Sequence, residues 1–427
     1  MSAIDRRSVV AGLVALPALA RAQTPQPSPA PAAAKFAFED VQRRARELAS
    51  APFAPPSGLP EALKNVDFDA WREIRFRPDR AIFANSGGPF RLQTFHLGHL
   101  FKQPVTVNVI RDGIPTPIPY GPNLFDYGRN KFELPLPVNL GFAGFRLHYP
   151  LNDPRVHDEL IAFLGASYFR FLGRGQRYGI SARALAVGAG AEQEEFPFFR
   201  EFWVEAPEAN ADKATIHALV DSESVAGAFR FEIWPGAESV LEVNATLHVR
   251  KAGVKLGLAP LTSMFFIGEN DRRTSGEYRP EVHDSDGLLV HTRAGEWIWR
   301  QLRNPKKPEV SSFLDKDVRG FGLIQRDRTF EHYQDLDLAY ERRPSYWVEP
   351  LNNWGEGRVD LVELPTDDET NDNIVAVWTP RDAPEPGKPL NYAYRVTASL
   401  EQARHSPNGR AINTYQRSEE HTSELQS

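Results

Sequence analysis

The sequence predicts a mainly β protein whose principal part is a large antiparallel β-sandwich. Three observations carry this. From about Phe76 onward, short runs rich in Phe, Val, Tyr, Leu and Trp are broken by Gly, Pro, Asn and Asp at roughly ten-residue spacing. Within 240–249, Val240, Glu242, Asn244, Thr246 and His248 alternate with Leu241, Val243, Ala245, Leu247 and Val249, so one face is apolar and the other wet. Helical patterns are few, and no internal repeat at solenoid or propeller spacing competes with a single large sandwich.

Taken in order, the chain opens with Asp5-Arg6-Arg7-Ser8-Val9-Val10, an apolar run to Leu19 and the small-x-small pattern Ala20-Arg21-Ala22. This reads as a twin-arginine export signal over 1–22, with Gln23 as the first mature residue and the periplasm as the address. The run is too short to span a bilayer, and no other stretch approaches the ~20 apolar residues a span needs. Residues 23–35 form a Pro/Ala linker. Phe38, Val41, Ala45 and Leu48 then recur at helical spacing, predicting an amphipathic helix over 38–49 that Pro52, Pro55 and Pro56 stop. A second helix is predicted over 154–164. Strands are expected at 106–111, 142–149, 214–220, 228–234, 240–249, 263–267, 288–292, 296–300, 322–327, 358–364 and 374–378.

The sandwich domain is placed at 36–380, a linker at 381–389, and the start of a further, truncated domain at 390–416, so that the 23–380 segment is expected to fold alone. The last residues, 417–427, match the in-frame translation of a common sequencing adapter and read as an artefact rather than protein.

Composition removes several functions. At 427 residues the chain exceeds a usual single domain, and a formal net charge of -6 argues against a general nucleic-acid binder. Cysteine is absent, which excludes a disulfide framework, a zinc–thiolate site and a thiol nucleophile. The two Gly-x-Gly pairs at 173–175 and 188–190 lack a phosphate-cradle context, and 165–169 lacks the second glycine of a nucleophile elbow.

What remains is chemically dense. The stretch 335–377 concentrates Tyr340, Tyr346, Trp347 and Trp354, the guanidinium groups of Arg342 and Arg343, and the acids Glu349, Glu363, Asp367, Asp368, Glu369 and Asp372. Aromatic faces beside many hydrogen-bonding groups suit a sugar, which stacks its C–H faces and pairs its hydroxyls. The acidic loop lies between two predicted strands, at a sheet rim, where catalytic groups tend to sit; the other reading is a surface turn of solvated acids. His283-Asp284-Ser285-Asp286 admits three readings: a metal site, a turn whose acids accept backbone N–H groups, or a catalytic carboxylate. Glu194 and Glu195 either hold a substrate hydroxyl or form a solvated edge, and Trp297 and Trp299 are either core or a stacking platform.

Beyond this, the chain resembles the periplasmic glucan biosynthesis proteins of the G and D type, with the twin-arginine signal closer to the D branch. The resemblance rests on LGFAGFR at 140–146, FLGASYFR at 163–170, YGISAR at 178–183, EEFP at 194–197, PLTSMF at 260–265, HDSD at 283–286, GFGL at 320–323, HYQD at 332–335 and RPSYWVEP at 343–350. It implies a galactose-mutarotase-like sandwich followed by an immunoglobulin-like sandwich, the latter truncated here. It implies action on osmoregulated periplasmic glucans with a β-1,2-linked backbone, as an inverting endo-β-1,2-glucanase without cofactor or metal. Asp372 aligns with the general acid and Asp284 with the carboxylate that receives the water's proton through a relay. Tyr340 and Arg343 are the candidates for orienting hydroxyls or the relay water, Glu369 for binding substrate, and Trp347 and Trp354 for flanking subsites. The crowd of Asp367, Asp368 and Glu369 is expected to favour a protonated Asp372. The rival reading is a non-catalytic glucan-binding protein that serves the inner-membrane glucan synthase; that synthase and a second copy of the chain are the protein partners to test. Mutarotase-like epimerisation rests on fold analogy alone.

Overall fold

The computed structural model describes residues 35–132, 136–269, 276–401 and 409. The export signal over 1–22, nearly all of the 23–35 linker and the adapter-like 417–427 lie outside the described residues.

Two large sheets form the body of the protein, one of ten strands and one of eleven. Each strand alternates its side chains between faces, and the apolar sets meet between the sheets. Phe145, Phe163 and Phe169 of the ten-stranded sheet pack on Phe199, Phe202 and Phe231 of the eleven-stranded one, with Phe163 and Phe231 ring centroids 5.2 Å apart. Tyr346 crosses the interior, stacks on Phe171 and donates its hydroxyl to the Phe171 carbonyl at 2.5 Å. Among the described residues, strand pairing is antiparallel except for Glu201–Glu205 beside Thr106–Ile110, which run parallel.

The helix forms at Phe38–Ser50, where Asp40 accepts the Ala37 N–H at 2.9 Å and so satisfies an orphan donor at its start. Its apolar face, Val41 and Ala45, is buried with Trp203, Leu219 and Ala228 on the outer side of the larger sheet. The wet face expected for 240–249 is therefore partly roofed: Thr246 and His248 are buried, and Gln42 donates to the Thr246 hydroxyl at 2.8 Å.

Two expectations are corrected. The segment 154–164 is not a helix; Asp158–Leu164 is a strand between Gly144–Tyr149 and Tyr168–Phe171. A short apolar run such as Leu160-Ile161-Ala162-Phe163 carries no decisive period, and pairing on both sides settles it. The second concerns the domain boundary. Leu390–Ser399 does not open a new domain: it lies inside the eleven-stranded sheet, paired with Ser239–Leu247 on one side and Ser345–Pro350 on the other. Tyr392, Tyr394, Val396 and Ala398 are buried in the main core.

The same core claims one expected sugar-binding aromatic. Trp354 is 9% exposed, packs against Trp378, Tyr392 and Tyr394, and donates its Nε1–H to the Ala393 carbonyl at 3.3 Å. It is a core residue because the loop after Ser345–Pro350 folds back over strand Leu390–Ser399. Trp347 points the other way from Tyr346, onto the outer face, where it stacks on Trp297 with ring centroids 5.7 Å apart. Its ring crosses Gly320 so closely that a Cβ there would lie 2.4 Å from Trp347 Cζ2, which is why glycine stands at that position. Trp297 and Trp299 are both half-buried in this outer cluster.

Candidate functional site

The ten-stranded sheet turns its second face outward and makes it polar. Residues directly opposite across a strand pair share a face. The pairs Gln93 with Arg146, Arg146 with Ala162, Ala162 with Arg170, Tyr168 with Arg183, and Ser181 with Thr262 therefore lay one row of polar groups across the sheet. Contacts knit it together. Arg146 donates to Glu159 at 2.9 Å, Tyr178 donates to the other Glu159 oxygen at 2.6 Å, and Arg170 lies 4.2 Å over the Tyr178 ring.

Asp372 stands at the end of this row, in the turn that precedes strand Ile374–Pro380. Its neighbour Asn373, 2% exposed, pins the turn. The Asn373 side chain accepts the Phe265 N–H at 2.8 Å and donates to the carbonyls of Phe265 at 3.0 Å and Leu364 at 2.9 Å. Asp284 is tied to the same place, because its N–H donates to the Met264 carbonyl at 2.8 Å and His283 pairs with Phe265. Met264-Phe265 is thus the shared anchor that brings two acids distant in sequence to one site. Asn373→Ala is expected to cost about 2–3 kcal/mol, at ~1 kcal/mol per lost hydrogen bond, seen as a lowered melting temperature together with a loss of function at the Asp372 turn.

Arg343 links the pair. Its guanidinium bonds the Asp284 carboxylate, its charge acts on Asp372, and it lies 3.8 Å over the Tyr340 ring. Gly179 makes room for it: a Cβ at 179 would lie 2.9 Å from Arg343 Cδ. Burial pushes the guanidinium down to about 10, so it remains a cation at neutral pH. Asp284 is 3% exposed and has Arg343 as its ionic partner. Arg343→Met, which keeps the stem but strands this carboxylate, is expected to destabilise the fold by about 3–5 kcal/mol in denaturant melts. A loss below 1 kcal/mol would show that the pair carries no such weight.

Asp372 is exposed, and Arg170, Arg183 and Arg343 lie near enough for their charges to act on its carboxyl. Burial raises its pKa above the ordinary carboxylate value; Arg170, Arg183, Arg343 and the Thr262 hydroxyl oppose that without cancelling it. The expected crowd of acids is not the cause. Asp368 is exposed and capped by the Thr370 N–H and hydroxyl, while Glu369 accepts from Arg279 at 2.7 Å and from the Tyr340 hydroxyl at 2.6 Å. Tyr340 is 1% exposed, so it holds Arg343 and Glu369 rather than offering its own face. Of the residues singled out in the sequence, Asp284, Asp372, Tyr340, Arg343 and Glu369 come together; Trp347 sits in the outer cluster and Trp354 in the core.

The His283-Asp284-Ser285-Asp286 stretch divides its roles. Asp286 is the turn acid, accepting the N–H groups of Arg326 and Asp327. His283 is fully buried between Glu281, at 2.7 Å, and Gln325, at 3.1 Å. Burial alone would lower its pKa, but Asp286 and Glu281 raise it on balance. Among the described residues, two groups bring atoms able to ligate a cation within 4.8 Å of one another: Glu281, His283 and Asp286, and Glu269, Glu281, Asp327 and His332.

Arg170, Arg183 and Thr262 escaped the sequence reading. An arginine between two phenylalanines, as in Phe169-Arg170-Phe171, signals an outward polar position on a strand. Nothing in the sequence says which acid it will face.

Against known proteins, the model of the family described as "Periplasmic glucan biosynthesis protein, MdoG" matches residues 36–426. The chain is 51% identical over 385 residues to the glucans biosynthesis protein G of Ralstonia nicotianae, covering 90% of this chain and 75% of that protein. It is 46% identical over 376 residues to the protein of the same name from Pectobacterium atrosepticum, covering 87% and 72%. Among solved structures it is similar to the Slr1438 protein of Synechocystis sp. PCC 6803, at 11% identity and a TM-score of 0.30 over 61% of this chain and 93% of that one, too distant to argue from. The mainly β sandwich and a family match over residues 36–426 lead to one conclusion: the chain belongs to the MdoG family of periplasmic glucan biosynthesis proteins.

Proposed function

We propose that this chain acts in the periplasm on the β-1,2-linked backbone of a glucan, as an inverting endo-glucanase in which Asp372 is the general acid. The observation that carries the reading is Asp372 itself: exposed, yet with a pKa that its surroundings raise above the ordinary carboxylate value. An inverting hydrolase needs one carboxylic acid to protonate the leaving oxygen and one carboxylate to take the proton of the attacking water. Asp284, at 3% exposure, lies too deep to touch that water directly, which suits the far end of a relay behind Arg343. Tyr340 and Glu369 act by positioning Arg343 and Arg279. The polar row from Thr262 to Gln93 supplies donors and acceptors for sugar hydroxyls.

A non-catalytic binding protein that serves a membrane glucan synthase is the alternative, favoured by how far the polar row extends beyond the acid pair. Reducing-end release from a linear β-1,2-glucan separates the two. Release by the wild type and its loss in Asp372→Asn supports the hydrolase; equal, background-level release from both leaves binding alone.

A further inference from the structure

Three carboxylates and an imidazole converge beside the short strand Val282–His283. Glu269, Glu281, Asp327 and His332 each bring one ligating atom within 4.8 Å of the others. Glu281 is 4% exposed, whereas the His332 side chain is 36% exposed and opens the group to solvent. A backbone bond sets the approach: the Glu281 N–H donates to the His332 carbonyl at 2.9 Å, which lays this acid alongside the turn Phe330–Tyr333.

Two of the acids are held from behind, so that the oxygen left over faces the imidazole. Glu281 gives Oε2 to His283 Nε2 at 2.7 Å and turns Oε1 toward His332 Nδ1, 3.9 Å away. Asp327 spends Oδ1 on the Thr329 N–H at 2.8 Å and turns Oδ2 onto the same Nδ1. His283 is not itself a ligand. It is fully buried, and its two ring nitrogens face Glu281 Oε2 and Gln325 Oε1. It orients Glu281, as the outer partners of metal ligands do. The negative charge also lacks a basic side chain of the usual kind: among the described residues, the ion-pair partners of Glu281 and Asp327 are His283 and His332, with no lysine or arginine. Arg328, next to Asp327 in the chain, donates instead to the carbonyls of Glu341 at 2.9 Å and Arg343 at 2.8 Å.

A mixed set of imidazole and carboxylates suits a transition ion better than Ca²⁺ or Mg²⁺, which favour oxygen alone. Ligands about 2.0–2.2 Å from one such ion stand at most roughly 4.4 Å apart. A group already within 4.8 Å therefore closes on an ion through small side-chain rotations. We propose that Glu269, Glu281, Asp327 and His332 bind one divalent transition ion, Zn²⁺ or Mn²⁺, as a structural site. The ion ties Val282–His283, immediately before Asp284, to the turn Phe330–Tyr333. The family resemblance implied a chain without a metal, and this donor set departs from it. The proposal stands apart from the glucan reading, because none of its four ligands is assigned to sugar binding or proton transfer.

The test starts from the full chain, stripped with a chelator and dialysed, and titrated separately with ZnCl₂ and MnCl₂ in a calorimeter. One equivalent of at least one ion is expected to bind and to raise the melting temperature, since a ligand of the folded state alone stabilises it. The ion that binds more tightly identifies the metal. Loss of an outer partner costs about 10–100-fold in metal affinity, so His332→Ala and Asp327→Asn, which remove a ligand outright, should each cost at least that much. A readout on the wild type alone guards against variants that fail to fold. The bound ion should shield His332 from diethyl pyrocarbonate, as located by peptide mass, while the half-buried His291 serves as the unshielded control. Failure of both ions to bind stoichiometrically, affinity unchanged in folded variants, or modification of His332 at the same rate with and without the ion overturns the proposal.

Discussion

Asp372→Asn is expected to lower reducing-end release from linear β-1,2-glucan by about 10²–10⁴-fold, the usual contribution of a positioned general acid. Binding should be nearly unchanged, since the amide keeps the shape and the polarity of the side chain. The loss should therefore fall on kcat rather than KM. The pH dependence has a definite sign. Asp372 must be protonated to donate, so the wild-type rate should fall as pH rises through its pKa, and burial moves that limb above the ordinary carboxylate value. This group's contribution to stability should fall with rising pH as well. A carboxyl whose folded pKa is raised binds protons more tightly in the folded state, so it costs stability once the pH exceeds its unfolded value. That cost is absent below the unfolded pKa of 3.8. The Asn variant should accordingly melt higher than wild type near neutral pH, and the gain should vanish on acidification. A variant that melts identically at every pH would remove the strained-acid account of this residue.

The second large effect concerns the chain end of the sandwich. A 23–380 segment is expected not to fold cooperatively. Cutting there removes Leu390–Ser399 from the interior of the eleven-stranded sheet and leaves the edges of Ser239–Val249 and Ser345–Pro350 unpaired. Tyr392, Tyr394, Val396 and Ala398 leave the core with it, and Trp354 loses the two tyrosine rings and the Ala393 carbonyl against which it rests. At ~1.5–3 kcal/mol for each large apolar side chain, the three larger residues alone represent roughly 5–9 kcal/mol. That is comparable with the 5–15 kcal/mol total stability typical of a domain. The two newly bared strand edges would in addition favour aggregation. Thermal melts and gel filtration of 23–380 against 23–401 decide the matter: a soluble 23–380 segment with a sharp transition would show that the strand is dispensable.

Much of the sandwich could be read directly from residue order. Period-two alternation is a local property, so strands such as Thr106–Arg111 and Ser239–Val249 were legible, as was the helix at Phe38–Ser50. The failures have a common origin. Asp158–Leu164 looked helical because four apolar residues in a row have no period, and Leu390–Ser399 looked like the start of something new because a Pro-rich connection precedes it. In both cases the deciding partner lies elsewhere in the chain.

The site divides along the same line. Residue types alone determined that 335–377 and 283–286 were rich in chemistry, because carboxylates, guanidinium groups and aromatic rings carry their reactivity wherever they stand. Only the tertiary structure decided that Tyr340 would lie beneath Arg343, that Trp354 would be core, and that Asp286 rather than Asp284 would serve the turn. The physical reason is that the proton affinity and reach of a side chain depend on what surrounds it. For Asp372 those surroundings, Arg170, Arg183, Thr262 and Arg343, come from four separate segments that meet only when the sheet closes.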